Sequence, residues 1–126
     1  KNISQAYAQS LSKVTGAMVC VADRDEIIAA AGKNHKNYIG KALSKELENI
    51  MDKRKSALYS KKDDTLIPVV KDDKVDCEAQ AIAVIVHDGD SAGAVILCVY
   101  DEKADKSEIA EKLAGAAAEF LADQLG

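Results

Sequence analysis

The order of apolar patterns along these 126 residues predicts an α/β fold: a largely antiparallel sheet of five or six strands, with two terminal helices side by side on one face and a middle helix on the other. Three observations carry this reading. The elements run helix, hairpin, helix, strands, hairpin, helix, and each strand-like run is long enough for only one layer. Residues 18–32 hold two short apolar runs either side of the wholly charged Asp23-Arg24-Asp25-Glu26, the pattern of two adjacent strands in a sheet interior whose turn alone meets water. Both ends of the chain place apolar residues at helical spacing.

Taken in order, Ile3, Tyr7, Leu11 and Val14 share one face of a helix over residues 2–14, which Gly16 ends. The turn at residues 23–26 lacks Gly and Asn, so a four- or five-residue loop built on a type I turn is expected in place of a tight primed turn. Residues 33–37 read as a polar loop, and Tyr38-Ile39 as a short helical turn closed by Gly40. Ser44 is a good cap for a helix over residues 45–54, with Glu46 in its first turn and Leu47, Ile50 and Met51 turned toward the sheet. A short strand follows at residues 56–60. Residues 65–70 have strand composition, but Pro68 cannot donate to a ladder, so an edge strand or a bulge is expected there. Residues 77–87 and 92–100 are the longest apolar runs and read as central strands, joined by Asp88-Gly89-Asp90-Ser91.

The last helix, over residues 108–125 and capped by Asp105 or Ser107, has more apolar surface than one sheet requires. Ile109, Leu113, Ala116, Ala117 and Phe120 fall on one face; Ala110, Ala114, Ala118, Leu121 and Leu125 fall on a neighbouring one, and together they span an arc of about 200°. The second face, small and apolar, is expected to be a homo-oligomer interface that a partner helix approaches closely.

The chain is of single-domain size and can bury roughly two thirds of its unfolded surface. Hydrophobic residues make up 48% and aromatics 4%, so Ile, Val, Leu and Ala must build the core. A net charge of −4, with no basic stripe interleaved with aromatics, excludes direct nucleic-acid binding as an expectation. No apolar run approaches the ~20 residues of a membrane span and no signal pattern precedes the first helix, so a cytoplasmic protein is expected. Because the chain starts at Lys1 without a Met, it reads as part of a longer protein.

Motifs for chemistry are few. His35 and His87 have no Cys, Asp or Glu at zinc-type spacing, and no phosphate loop, nucleophile elbow or dinucleotide fingerprint occurs, so neither metal, cofactor nor enzymatic activity is expected. Cys20, Cys77 and Cys98 are odd in number and match no CxxC pattern; they read as reduced core thiols. The acidic pairs Asp23/Asp25, Asp63/Asp64 and Asp72/Asp73 lie in turns, where solvation explains them. Arg24, the one cation in the first hairpin, could meet a ligand carboxylate, although a solvent-facing turn residue is the plainer reading.

An ordered set of short matches then covers nearly the whole chain: Ala6-Tyr7-Ala8, residues 19–25 and 28–32, Tyr38-Ile39-Gly40-Lys41, residues 51–56, Ala92-Gly93-Ala94-Val95-Ile96-Leu97 and residues 116–122. In these the sequence resembles the C-terminal, GAF-like sensor domains of the stage V sporulation protein T family, regulators of the AbrB type. The resemblance implies a single GAF-like regulatory domain over residues 1–126, with an upstream DNA-binding domain outside this chain that alone contacts DNA. It implies the control of sporulation genes by an effector of unknown identity or by a partner. A sensor of this kind is expected to hold a small effector between the sheet and residues 38–51, because the polar loop at 33–37 and the flanking Gly32 and Gly40 let that cover move. Tyr38, Leu47, Met51 and Tyr59 would line the site, Cys20 and Cys98 its floor and Arg24 its rim. The competing reading is a roadblock- or profilin-like dimerisation module without a ligand, marked by a filled sheet face.

Overall fold

The computed structural model describes residues 2–101 and 106–125. A helix α1 (Asn2–Thr15) leads into the hairpin β1 (Met18–Ala22) and β2 (Ile27–Ala31), and a 3-10 turn (His35–Asn37) precedes helix α2 (Lys45–Lys53). Strands β3 (Ala57–Ser60), β4 (Ala79–His87) and β5 (Asp90–Val99) complete one five-stranded sheet, and α3 (Lys106–Leu125) closes the order. The strands lie in the order β2-β1-β5-β4-β3, and every neighbouring pair is antiparallel.

The expected layers are present. On the first face α1 and α3 pack side by side over Val19, Val21, Ala81, Ala83, Val95 and Leu97. On the second, Leu47, Ile50 and Met51 of α2 join Tyr38, Leu43, Val69 and Val70 over Met18, Cys20, Ile82, Ile96 and Cys98. The alternation along β4 and β5 supplies both cores from the same strands, as a sheet buried on both sides requires.

Local chemistry explains the connections. In the first hairpin Asp23 Oδ1 accepts from the backbone N–H groups of Asp25 and Glu26 at 2.8 and 2.9 Å, so a side chain holds the four-residue loop where no Gly could. The second hairpin is tighter than a four-residue loop. Asp88 and Gly89 both adopt positive φ (51° and 81°), the type I′ geometry that matches strand twist, and His87 pairs directly with Asp90. Ser44 caps α2 as expected, its Oγ accepting from the Leu47 N–H at 3.0 Å, and Arg54 ends the helix in the left-handed region.

Four expectations are corrected. The first hairpin is not interior: β2 is the edge strand. Its edge is covered by the Gln5 side-chain amide, which accepts from the Ala30 N–H (3.1 Å) and donates to the Ala30 carbonyl (2.9 Å) like a strand's own peptide group. Farther along the same edge, Ile27 pairs with Gly40 and Lys41. Residues 65–70 form no strand; they lie as a loop across the second face, carrying only an isolated bridge between Leu43 and Val70.

The remaining two corrections concern which helical faces meet the sheet. On α1 the buried stripe is Ser4, Ala8 and Leu11, while Ile3 and Val14 are 47% and 77% exposed. On α3 the residues expected to form a homo-oligomer interface, Ala110, Ala114, Ala118 and Leu121, are buried against the chain's own sheet, and Leu125 packs partly beside them. Ile109 and Phe120 point outward at 52% and 48% exposure. The sheet face under these helices is rich in Ala29, Ala31, Ala79, Ala81 and Ala83, and the stripes that meet it are mostly small residues interrupted by Leu11 and Leu121, an arrangement that lets the helices approach closely. Asp105, one of the two expected caps of α3, lies outside the described residues; Ser107 is already inside the helix.

Candidate functional site

A hydrogen-bonded cover lies across the second face of the sheet, and it is built from loop residues. Gln80, fully buried near the start of β4, accepts from the Ile67 N–H (2.9 Å) and donates to the Ile67 carbonyl (2.7 Å), fixing residues 65–69 above the sheet. Ser44 adds a second tie: besides capping α2, its hydroxyl donates to the Pro68 carbonyl at 2.6 Å, and its N–H donates to Val69. The chain then turns so that Asp73 Oδ2 accepts from the Val69 N–H (2.9 Å), while Asp73 Oδ1 accepts from the Tyr38 hydroxyl (2.7 Å). Tyr38, just past the 3-10 turn, is thereby latched to a loop 35 residues away.

Beside this latch lies a cleft of about 510 Å³ between the two loops. Tyr38, Asn34, Asn37, Lys41, Lys71 and Asp73 line it, with Lys36, Lys74, Asp72 and Asp76 at its walls. Lys33 sits 4.6 Å from the centre of the Tyr100 ring, a cation–π contact at the same end of the molecule. Beneath it are the three cysteines, all buried, all free and all on the second face. Met18 pairs with Cys98 and Cys20 with Ile96, so Cys20 lies diagonally across from Cys98.

This end of the sheet favours neutral side chains. Burial pushes the Cys20 thiol up, and burial together with the bond to Asp73 does the same to the Tyr38 phenol. Tyr100 is raised mainly by burial, and Cys98 by its hydrogen bond to Cys77 and by burial. Cys77 alone is lowered, because the Cys98 thiol stabilises its thiolate. A group whose folded pKa is raised gives stability that is complete below its unfolded pKa and is lost as pH rises beyond it. The unfolded values are near 9.0 for Cys and 10.0 for Tyr, so the four raised groups withdraw stability above those values, while the lowered Cys77 adds stability only as pH climbs toward 9.0. Urea midpoints should therefore fall above 9.0, and Tyr38→Phe should remove part of the fall; a midpoint flat past 10.0 would contradict this.

The residues expected around a ligand are divided by the structure. Of them only Tyr38 lines the cleft beside the latch, and Cys20 and Cys98 are buried in the core of the second face. Leu47 is fully buried under α2 in the packed core, and Tyr59 is half-buried on β3. Arg24 and Met51 line a separate cleft of about 550 Å³ at the opposite end of the sheet, near Ser91. Sequence reasoning missed Asp73, which read as one more exposed turn acid, and Gln80, whose signal was a lone amide inside an apolar strand run. Among the described residues no group of three His, Cys, Asp or Glu is arranged to hold a metal ion, and no helix is long and apolar enough to cross a membrane.

Comparison with known proteins bears on the whole chain. Residues 1–126 match the family described as "Stage V sporulation protein T C-terminal, transcription factor". Stage V sporulation protein T of Bacillus subtilis (strain 168) is 34% identical over 124 residues, which are 98% of this chain and 67% of that protein. Among solved structures, the GAF domain of an Acinetobacter phosphoenolpyruvate-protein phosphotransferase superposes with a TM-score of 0.78 at 9% identity, over 98% of this chain and 80% of that one. A type II free methionine-R-sulfoxide reductase from Thermoplasma acidophilum superposes with a TM-score of 0.73 at 15% identity, over 98% and 90%. At such identities these two likenesses establish the fold, which is GAF-like, and nothing of the chemistry.

Proposed function

The chain belongs to the stage V sporulation protein T C-terminal, transcription factor family, and from that premise we propose that it is a regulatory sensor module that takes up a small effector beside Tyr38. It has no catalysis of its own. The full-length protein acts in the cytoplasm and reaches DNA through a different segment, since this domain carries a net charge of −4 and no basic stripe.

The observation that supports the reading best is the latch between Tyr38 and Asp73. It joins two irregular loops over a cleft, and one hydrogen bond to a charged group, about 1.5–3 kcal/mol, is within reach of a ligand's differential binding. An effector that engages the lysines of the cleft or competes for Asp73 would shift the cover while the sheet stays rigid. The signal would leave through α1 and α3, which touch through Tyr7 and Phe120, their ring centres 5.3 Å apart.

Those helices also support self-association, through a face other than the one expected from sequence. Ile3, Ile109 and Phe120 are about half exposed on the outer side of the helix pair. Phe120→Ser should convert an oligomer into a monomer in light scattering without unfolding it. A wild-type monomer, or an oligomer indifferent to Phe120→Ser, would refute this part of the proposal.

For the effector, thermal melts against amino acids, nucleotides and small organic acids should reveal one class that stabilises the domain, by about 2.7 kcal/mol at a hundred times its dissociation constant. Asn37→Trp, which fills the cleft from its exposed rim, should cancel that shift. If no compound moves the melting point, or if Asn37→Trp leaves the shift intact, the site is not the effector's. Signalling by a protein partner would then be the better account.

A further inference from the structure

We propose that the cleft beside Tyr38 binds a small phosphate ester, held between lysines that stand on its two walls. The proposal rests on the reading of that cleft as the effector's site and names the chemistry it takes. Positive charge is concentrated there by the sequence: residues 27–45 include Lys33, Lys36, Lys41 and Lys45 and no Asp or Glu, in a chain whose net charge is −4. Lys36 and Lys41 belong to one wall of the cleft, Lys71 and Lys74 to the other. Small-molecule sites run to about 300–1,000 Å³, and this cleft, at about 510 Å³, falls among them.

The two walls are tied to the sheet and to each other, so the lysines are placed before any ligand arrives. The Lys41 N–H donates to the Tyr38 carbonyl and the Lys41 carbonyl accepts from the Ile27 N–H, both at 3.0 Å, which pins the first wall to the edge of β2. The Lys71 N–H donates to the Ala42 carbonyl at 3.4 Å, beside the bridge between Leu43 and Val70, and this joins the second wall to the first.

Charge decides the sign of the ligand. Among the described residues none of these four lysines is paired with a carboxylate. Asp73 is half-buried and already accepts from Tyr38 and Val69, which leaves four lysines against the exposed Asp72 and Asp76. The cleft at the opposite end of the sheet has the reverse balance, with Arg24 and Lys45 against Asp25, Glu48 and Asp52. An anion between the Tyr38 walls relieves the mutual repulsion of unpaired cations.

Residue type narrows the class. Lys offers a compact point charge with three donors, whereas the fork of Arg matches a planar carboxylate. Both arginines of the chain lie elsewhere, Arg24 in the opposite cleft and Arg54 at 3.7 Å from Asp90. Separate cations on facing walls suit a tetrahedral phosphate, whose terminal oxygens point in different directions. Asn34 and Asn37 add amide donors and acceptors, while Tyr38 and Val70 alone supply apolar lining, so a hydroxyl-bearing organic group fits better than an apolar one.

Amide chemical shifts of isotope-labelled protein test this with pyrophosphate and glycerol phosphate as probes. Both should shift amides of residues 34–41 and 71–76 saturably, whereas glycerol, and sodium chloride at matched ionic strength, should not; citrate, the carboxylate arm, should bind more weakly than either phosphate. Lys36→Gln and Lys71→Gln should each weaken phosphate binding about tenfold, the lower range of a hydrogen bond to a charged group. Lys62→Gln, an exposed lysine outside the cleft, should leave it unchanged. Tighter binding of citrate, an equal effect of Lys62→Gln and Lys36→Gln, or phosphates that shift nothing in these loops would overturn the assignment. A neutral or cationic compound that stabilises the wild type but not Asn37→Trp, with both phosphates silent, would overturn the phosphate and keep the effector site. If neither the phosphates nor any compound of the wider screen binds, both readings fall.

Discussion

Gly93→Ala is expected to destabilise the domain by about 3 kcal/mol, the upper range of overpacking costs. Gly93 sits in β5 opposite Ile85, one residue before the partner of Ala22 on β1. A Cβ built there would overlap the Ala22 carbonyl oxygen and lie 3.1 Å from the Ala22 carbonyl carbon and 3.3 Å from the Asp23 Cα. All three are backbone atoms, so no side chain can swing aside, and β1 would have to separate from β5 where both cores meet. Gly115→Ala is the control: in mid α3 a Cβ meets nothing within 4 Å, and replacing a helical Gly should add about 0.5–1 kcal/mol. Urea unfolding of both variants measures the contrast. Equal midpoints would show that the strands accommodate the methyl group and that the close approach is not a constraint.

The second large effect is expected at Gln80. Gln80→Leu keeps the volume of a fully buried side chain but removes both partners of the Ile67 peptide group, leaving a donor and an acceptor without the bonds that tie the cover down. With about 1–3 kcal/mol for each buried group left unsatisfied, a loss of about 3 kcal/mol is expected. Hydrogen exchange supplies a local readout, because the Ile67 amide should lose protection well before amides of β4 and β5. A loss below about 1 kcal/mol with the Ile67 amide still protected would mean that residues 65–69 are held by Ser44 and apolar packing alone.

These sites illustrate unequal legibility. The Asp88-Gly89 hairpin, the Ser44 cap and the three-layer order follow from local rules, since a turn or a cap needs its residue types at fixed offsets. Residues 65–70 show the limit of such rules: Leu66, Ile67, Val69 and Val70 carry strand composition, yet their backbone is satisfied by Gln80 and Ser44 from elsewhere in the chain. The candidate site was legible in part. Of the residues named for a ligand site, Tyr38 lines the cleft, Cys20 and Cys98 lie in the core of the second face, Arg24 stands at the far end of the sheet, and Asp73 was indistinguishable from its solvated neighbours.

By itself, the amino-acid sequence determined the fold class, the family and the assignment of helices α1 and α3 to one face of the sheet and α2 to the other, because periodicity, caps and turns act within a few residues. Which faces of α1 and α3 meet the sheet was decided only in three dimensions. Hydrophobicity favoured burial of Ile3, Val14, Ile109 and Phe120, but the helices meet the alanine-rich sheet along the stripes that carry Ser4, Ala8 and Leu11 on α1 and Ala110, Ala114, Ala118 and Leu121 on α3. Shape matching between two surfaces is a property of the pair, and no single segment encodes it. The meeting of Tyr38 with Asp73 is of the same kind, for it joins two loops that only the finished sheet brings together.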